Sequence, residues 1–330
     1  MISDPGALAV HGGRLRAARA RFAAAPEPWL DLSTGVSPWP YPAPRASSAA
    51  RTRLPDPEET RALESAAAGA FGCSPDRVLA TPGGEAAIRL VATAIGARTV
   101  AIAAPTYGGH AAAWREAGAE VLEIPRAQLT QATADVRVIV NPNNPDGAVT
   151  FPPTVAALAP DGGWLVVDEA FVEATPELSV ASFDLERTIV LRSFGKFYGL
   201  AGLRLGFIVA APPLIAGLRA RQGEWPVSAD AIVAGLAAYT NSAWAAQTRV
   251  RLARSVRRLD RLLVGAGLGL IGGTSLFRLV AATDAPGRFE GLASRGILVR
   301  PFAYDASLLR FGLPPARAWP RLAEALMESR

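Results

Sequence analysis

Short apolar segments rich in valine and isoleucine recur through the first two thirds of the chain, and they restrict its fold more than any other feature. They are Thr99 to Ala104, Val121 to Ile124, Val136 to Val140, Trp164 to Val167, Thr188 to Leu191 and Leu205 to Val209. Helix-compatible stretches such as Glu85 to Ile95 and His110 to Ala117 lie between several of them. This alternation predicts an α/β fold, with a mostly parallel sheet sandwiched by helices. At 330 residues and 50% hydrophobic content, there is room for one principal domain and a smaller one.

After about residue 212 the pattern changes to long helical stretches, then to a hairpin region from Gly272 to Leu309, as expected of a smaller α+β domain. The region before Pro42 is rich in proline and glycine, with Pro26, Pro28, Pro38, Pro40 and Pro42, and predicts an extended arm without a regular helix. The boundaries expected are an arm over 1–44 packing with the small domain, a large domain over 45–215 and the small domain over 216–330. Gly265, Gly267 and Gly269 follow a helix rather than a strand, so they mark a loop and no dinucleotide site. There is no internal repeat.

A net charge of +5 raises the possibility of nucleic acid. Arg249, Arg251, Arg254, Arg257, Arg258 and Arg261 concentrate positive charge, but Val250, Leu252, Val256, Leu259, Leu262 and Leu263 interleave with them. That spacing favours an amphipathic helix with a solvated arginine face over a nucleic-acid groove. No apolar stretch reaches the roughly 18 residues needed to span a bilayer. The amino-terminal residues lack the apolar core of a secretory signal. A single cysteine, Cys73, gives neither an internal disulfide nor a metal cluster. A soluble cytoplasmic protein with no metal, nucleic-acid or membrane partner is expected.

Open α/β sheets bind ligands beyond the carboxyl ends of their strands, and there the chain places its chemistry. Only one of its 34 lysine and arginine residues is a lysine, Lys196, and it follows the apolar run Thr188 to Leu191. Arginine stays protonated, whereas a partly desolvated lysine loses its proton and attacks a carbonyl. Trp164-Leu-Val-Val-Asp168 ends a strand in a carboxylate that burial tolerates only opposite a cation or strong donor. Val140-Asn-Pro-Asn-Asn144 closes another in a turn that fixes an amide able to donate to a phenolate oxygen. In Thr81-Pro-Gly-Gly84-Glu85 a glycine turn opens a helix, leaving amide groups to hold an anion. Ser193 and Arg204 flank Lys196 and complete a phosphate cradle. Each motif alone has an ordinary structural explanation.

Together these motifs resemble the fold-type I pyridoxal-phosphate enzymes of the aminotransferase superfamily, in the branch containing the histidinol-phosphate aminotransferases. The matching motifs run from Gly83 to Arg310. The resemblance implies pyridoxal 5'-phosphate as cofactor, with Lys196 as the lysine that carries it, Asp168 as the partner of the pyridine nitrogen and Asn144 as the contact of the ring oxygen. Tyr107 in Pro105-Thr-Tyr-Gly is implied as the aromatic stacked on the ring, with His110 near enough in sequence to compete for that role. Arg310 in Leu309-Arg-Phe-Gly is implied as the arginine for the substrate carboxylate. Two positions depart from the pattern: Phe171 stands where many relatives carry a tyrosine, and Gly195 where a hydroxyl residue often precedes the lysine.

The amino-terminal arm, His11-Gly-Gly13 followed by Trp29-Leu-Asp-Leu-Ser-Thr-Gly35-Val-Ser-Pro38-Trp-Pro-Tyr-Pro42, resembles the cobalamin-pathway branch of threonine-phosphate decarboxylases. That implies decarboxylation of L-threonine O-3-phosphate to aminopropanol phosphate, with His11 and Arg300 near the substrate phosphate. The plain alternative makes His11 a loop histidine, Arg300 a surface strand residue and the proline-rich strip a packed arm. Two further readings stand behind decarboxylation: an aminotransferase for a phosphorylated or acidic amino acid, and an arginine-rich binding protein on a degenerate enzyme fold. The resemblance also implies a homodimer, with Tyr41 as the residue reaching across.

Overall fold

A computed structural model describes residue 8, residues 11–183 and residues 186–328. All six apolar runs form strands: Thr99–Ala104, Glu120–Pro125, Val136–Val140, Trp164–Asp168, Thr188–Ser193 and Gly206–Val209. A seventh, Val78–Thr81, joins them at one edge. Across the sheet the order is Val78–Thr81, Gly206–Val209, Thr188–Ser193, Trp164–Asp168, Val136–Val140, Thr99–Ala104, Glu120–Pro125. Gly206–Val209 runs antiparallel to both neighbours and every other pairing is parallel. The fold is thus α/β with a mostly parallel sheet, as its apolar runs predict.

The central runs carry no polar alternation because both of their faces are covered. Glu120–Pro125, at the edge, instead exposes Glu120 and Glu123, charges that discourage pairing with another strand. Helix Gly84–Ile95 buries Ala87, Ile88, Val91 and Ala92 against Val100, Ile102 and Trp114 in the core beside the sheet. Helix Pro57–Phe71 begins with a capping box between Asp56 and Glu59, has proline at its first position, and ends at Gly72 with φ 73°. Such an end contributes about 1 kcal/mol.

The strand order reverses beside Thr99–Ala104, whose neighbours are Glu120–Pro125 on one side and Val136–Val140 on the other. Chains leaving such a switch point diverge and leave a crevice. The Pro105 to Tyr107 segment and the Asn141 to Asn144 segment leave the sheet there.

The residues group into two units. Pro40–Asn144 and Ala148–Gln247 form the larger; described residues up to Trp39, Pro145–Gly147 and those from Thr248 onward form the smaller. The larger unit runs past the boundary expected at 215, and Ile215 and Leu218 belong to the core of the large sheet. Gly235 packs so closely that a Cβ there would lie 2.6 Å from Leu63.

In the smaller unit, Gly269–Thr274, Phe277–Ala281, Leu308–Gly312 and Arg300–Pro301 make an antiparallel sheet, and Leu30–Asp31 pairs parallel with Ile297–Leu298. Two expectations need correction. The arm contains a helix, Leu15–Arg21, because its run of leucine, alanine and arginine favours one and no proline falls between Gly6 and Ala25. The region from Gly272 to Leu309 is a hairpin interrupted by helix Ala285–Ser294, which Asp284 caps through the Gly287 amide and which buries Phe289, Leu292 and Ala293. The arginine-rich stretch is helical within Ser242–Gly265, burying Leu252, Val256, Leu259 and Leu263, while Val250 is exposed. Among the described residues, no helix is long and apolar enough to cross a membrane.

Candidate active site

Asp168 lies at the carboxyl end of its strand and is almost fully buried. One carboxylate oxygen accepts the Ala170 amide at 2.9 Å, and the other is 2.9 Å from Nε2 of the fully buried His110. Since the carboxylate accepts, Nε2 carries the proton, and Nδ1 has no hydrogen-bond partner among the described residues. The Tyr107 ring meets His110 edge-on at 6.4 Å. The sequence leaves His110 open beside Tyr107 and gives no sign of its bond to Asp168; only its position three after Tyr107, on the first turn of helix Gly109–Glu116, brings it near.

Lys196 sits in the four-residue helix Phe194–Phe197 directly after strand Thr188–Ser193 and is half-buried. Its Nζ lies 5.6 Å from the centre of the Phe171 ring. Gly195 has a steric cause: a Cβ there would lie 2.6 Å from Ala201 Cα.

The glycine turn opens helix Gly84–Ile95 as expected, with Gly83 at φ 96°. A Cβ on Gly83 would lie 2.6 Å from the Arg204 guanidinium, and one on Gly206 would lie 2.7 Å from the Gly84 nitrogen. A Cβ on Gly84 would sit 3.8 Å from Ser193 Cβ. Gly83, Gly84, Ser193 and Arg204 therefore converge, and the first amides of a long helix point into the group. Arg204 adopts φ 54°, ψ 59°, a left-handed conformation costing on the order of 1–3 kcal/mol in a non-glycine residue and typical of ligand clamps.

The two segments leaving the switch point are tied together. Thr106 Oγ1 donates to Asn143 Oδ1 at 2.7 Å, and Asn143 Nδ2 donates to the Pro105 carbonyl at 3.0 Å. Asn141 braces its own turn by exchanging two hydrogen bonds with the Thr150 backbone. Asn144 is half-buried at the end of this turn. The amine, the buried carboxylate, the anion cradle and the aromatic ring all lie in the larger unit. This donor set fits a phosphorylated pyridine aldehyde: an amine for the carbonyl, an acceptor for a ring N–H, and amides and a guanidinium for the phosphate.

The other sequence candidates belong to the smaller unit. Arg310 is buried and donates to the Ser33 carbonyl at 2.8 Å. Burial, followed by the neighbouring Arg300, pushes its guanidinium down to about 9. Arg300 pairs with Arg310 across the antiparallel sheet. Two cations so placed repel, and an anion would relieve them. His11 is exposed, and the following Gly13 amide donates to Ser33 Oγ at 2.8 Å. Ser33 thus meets both the arm and Arg310. Tyr41, expected to reach another subunit, is instead buried in its own chain. Its hydroxyl donates to the Ala237 carbonyl at 2.9 Å and its ring packs edge-on to Trp244 and Tyr198.

Beside the site lies a charge cluster that sequence reasoning missed. Arg192, fully buried, donates to Glu169 at 2.9 Å and to Ser179 Oγ at 3.1 Å, and pairs with Glu173. Ser179 and the Val180 amide also donate to Glu169, each at 2.7 Å. Among the described residues no group of His, Cys, Asp and Glu side chains is arranged to hold a metal ion.

Residues 32–326 match the aminotransferase class I and II family. The chain is 41% identical over 325 residues to the threonine-phosphate decarboxylase of Pseudomonas aeruginosa, covering 96% of this chain and 97% of that protein. It is 28% identical over 331 residues to the histidinol-phosphate aminotransferase of Desulfitobacterium hafniense, covering 91% of each. Its fold is similar to the crystal structure of histidinol-phosphate aminotransferase from Sinorhizobium meliloti in complex with pyridoxal-5'-phosphate. The TM-score is 0.83 at 22% identity, covering 95% of this chain and 93% of that one.

Proposed function

Because this chain belongs to the aminotransferase class I and II family, we propose that it is a pyridoxal-phosphate-dependent decarboxylase of L-threonine O-3-phosphate that forms aminopropanol phosphate for cobalamin biosynthesis. The carrying observation is the identity to a threonine-phosphate decarboxylase along nearly the whole of both chains, well above that to the aminotransferase. The chain acts as a homodimer in the cytoplasm.

When bound, pyridoxal 5'-phosphate supplies a ring that accepts electrons from a bond breaking at the substrate α-carbon. Lys196 holds it through Nζ. Gly84, Glu85 by its backbone amide, Ser193 and Arg204 hold its phosphate, and Asn144 holds its ring oxygen. Asp168, oriented by His110, would accept a hydrogen bond from the ring nitrogen and so favour a proton there. Tyr107 covers the ring face. Arg310 takes the substrate carboxylate through paired hydrogen bonds; Arg300 and His11 take its phosphate. With its Nζ freed and protonated, Lys196 would stand as the ammonium that gives a proton to the α-carbon once carbon dioxide has left, ending as the neutral amine.

The test is incubation of the purified holoenzyme with L-threonine O-3-phosphate. Carbon dioxide released with no 2-oxo acid present supports decarboxylation; turnover that requires a 2-oxo acid acceptor makes the chain an aminotransferase.

A further inference from the structure

Tyr107 does not reach the site unaided. Its hydroxyl donates to Glu85 Oε2 at 2.9 Å, and Glu85 stands in the first turn of helix Gly84–Ile95, the turn whose amides face the anion cradle. The other Glu85 oxygen accepts from Arg89 Nε one turn along, at 3.2 Å, and Arg89 pairs in turn with Glu116. Gly109 makes room for this contact, because a Cβ there would overlap the Tyr107 ring and lie 2.9 Å from Glu85 Oε2. The opposite restraint on the ring is the edge-on contact with His110, itself bound to Asp168.

We infer that the Glu85 side chain is a positioning residue that clamps the Tyr107 hydroxyl and so fixes the plane of the ring covering the cofactor. The inference rests on the cofactor site proposed above. A tyrosine ring has two free torsions; a hydrogen bond at its far end removes the freedom that a phenylalanine would retain. Burial, and next the nearby Glu85 charge, push the phenol upward, so it stays a donor. The clamp also directs a carboxylate away from a turn that must receive phosphate. Glu85 beside the helix N-terminus favours the helix but would repel a bound anion; with Tyr107 on one oxygen and Arg89 on the other, its charge is held aside.

Removing Glu85 therefore has two opposed effects on cofactor retention, and a double-mutant cycle separates them. The variants are Glu85→Ala, Tyr107→Phe, their combination and Glu85→Gln, each prepared as holoenzyme. The readouts are the dissociation constant for pyridoxal 5'-phosphate and the circular dichroism of its visible band. A hydrogen bond to a charged acceptor sets the scale at about tenfold. Tyr107→Phe raises the dissociation constant by about that factor and diminishes the dichroism; adding Glu85→Ala diminishes the dichroism no further. Glu85→Gln, which keeps an acceptor oxygen, retains the wild-type dichroism. Independent effects that multiply in the combined variant, or a Tyr107→Phe holoenzyme with unaltered dichroism, overturn the clamp. Tyr107→Phe leaves the ring in place, so the test survives poor folding of Glu85→Ala. A wild-type chain that takes up no pyridoxal phosphate overturns the cofactor site and the clamp together, a result distinct from either of these.

Discussion

Replacing Arg192 with methionine tests the buried charge cluster beside the site. Arg192 is the common partner of Glu169 and Glu173, and all three are buried. Its loss strands two carboxylates in the interior, and removal of one partner from a buried ion pair costs about 3–5 kcal/mol. At about 2–4 °C per kcal/mol for a unit of this size, the melting temperature falls by roughly 6–20 °C. The sign with pH follows from Glu169. Burial pushes its carboxyl up, with Arg192 the foremost opposing influence, so Arg192→Met raises it further. A carboxyl raised in the folded state keeps its contribution below the unfolded value of about 4.3 and loses it as pH rises through the folded value. The deficit is accordingly smaller near pH 5 than near pH 8. Adding Glu169→Gln and Glu173→Gln removes the stranded charges and restores at least half of the loss, as seen by thermal unfolding followed by far-ultraviolet circular dichroism. A deficit under about 1 kcal/mol, or one indifferent to both pH and the glutamine substitutions, refutes the reasoning.

Four further outcomes concern the site. Lys196→Arg keeps the charge but gives no cofactor adduct trapped by borohydride, and activity falls by at least the roughly 10²–10⁴-fold attributed to a positioned proton donor. Gly83→Ala forces a side chain onto φ 96° and against the Arg204 guanidinium, so cofactor dissociation by equilibrium dialysis rises about tenfold or more, on the order of 1–3 kcal/mol of strain. Asp168→Asn weakens the hold on a ring proton by about 1.5–3 kcal/mol, lowering kcat roughly ten- to hundredfold; pre-steady-state absorbance locates the slowed step. Arg310→Met removes the buried guanidinium opposite Arg300, and KM for the anionic substrate increases about tenfold or more while kcat changes less.

The fold was legible where local pattern and final environment agree. Five of the seven strands of the large sheet announce themselves as apolar runs because they are largely buried on both faces, and the exposed edge strand Glu120–Pro125 still keeps Val121, Leu122 and Ile124; Val78–Thr81 escapes notice because four residues between two turns carry too little pattern. Lys196 and Asp168 were legible because each follows or ends such a run, and the Gly83-Gly84 turn because paired glycines open a helix-compatible stretch. The helix at Leu15–Arg21 was overlooked because the prolines further along the arm were read back into a segment that contains none. The bond of His110 to Asp168 was not legible, because a histidine at a helix start has no periodic signature and its partner lies 58 residues away.

Arg192 and Glu169 carried a signal of a different kind. One arginine among so many reads as surface charge, yet Arg192 interrupts a strand whose other residues are nearly all buried, and a charge there demands a partner. Successive side chains at a strand end point to opposite faces. Asp168 turns to His110 and Glu169 to Arg192; on the neighbouring strand Arg192 turns to the glutamates and Ser193 towards Gly84. Two adjacent carboxylates are thereby separated, one left to meet a ligand and the other spent within the protein. A register slip of one residue would exchange those roles, presenting Arg192 where the cradle needs Ser193 and burying Asp168 where Glu169 meets its cation. The parallel pairing of Asp168 with Leu191 is what prevents it.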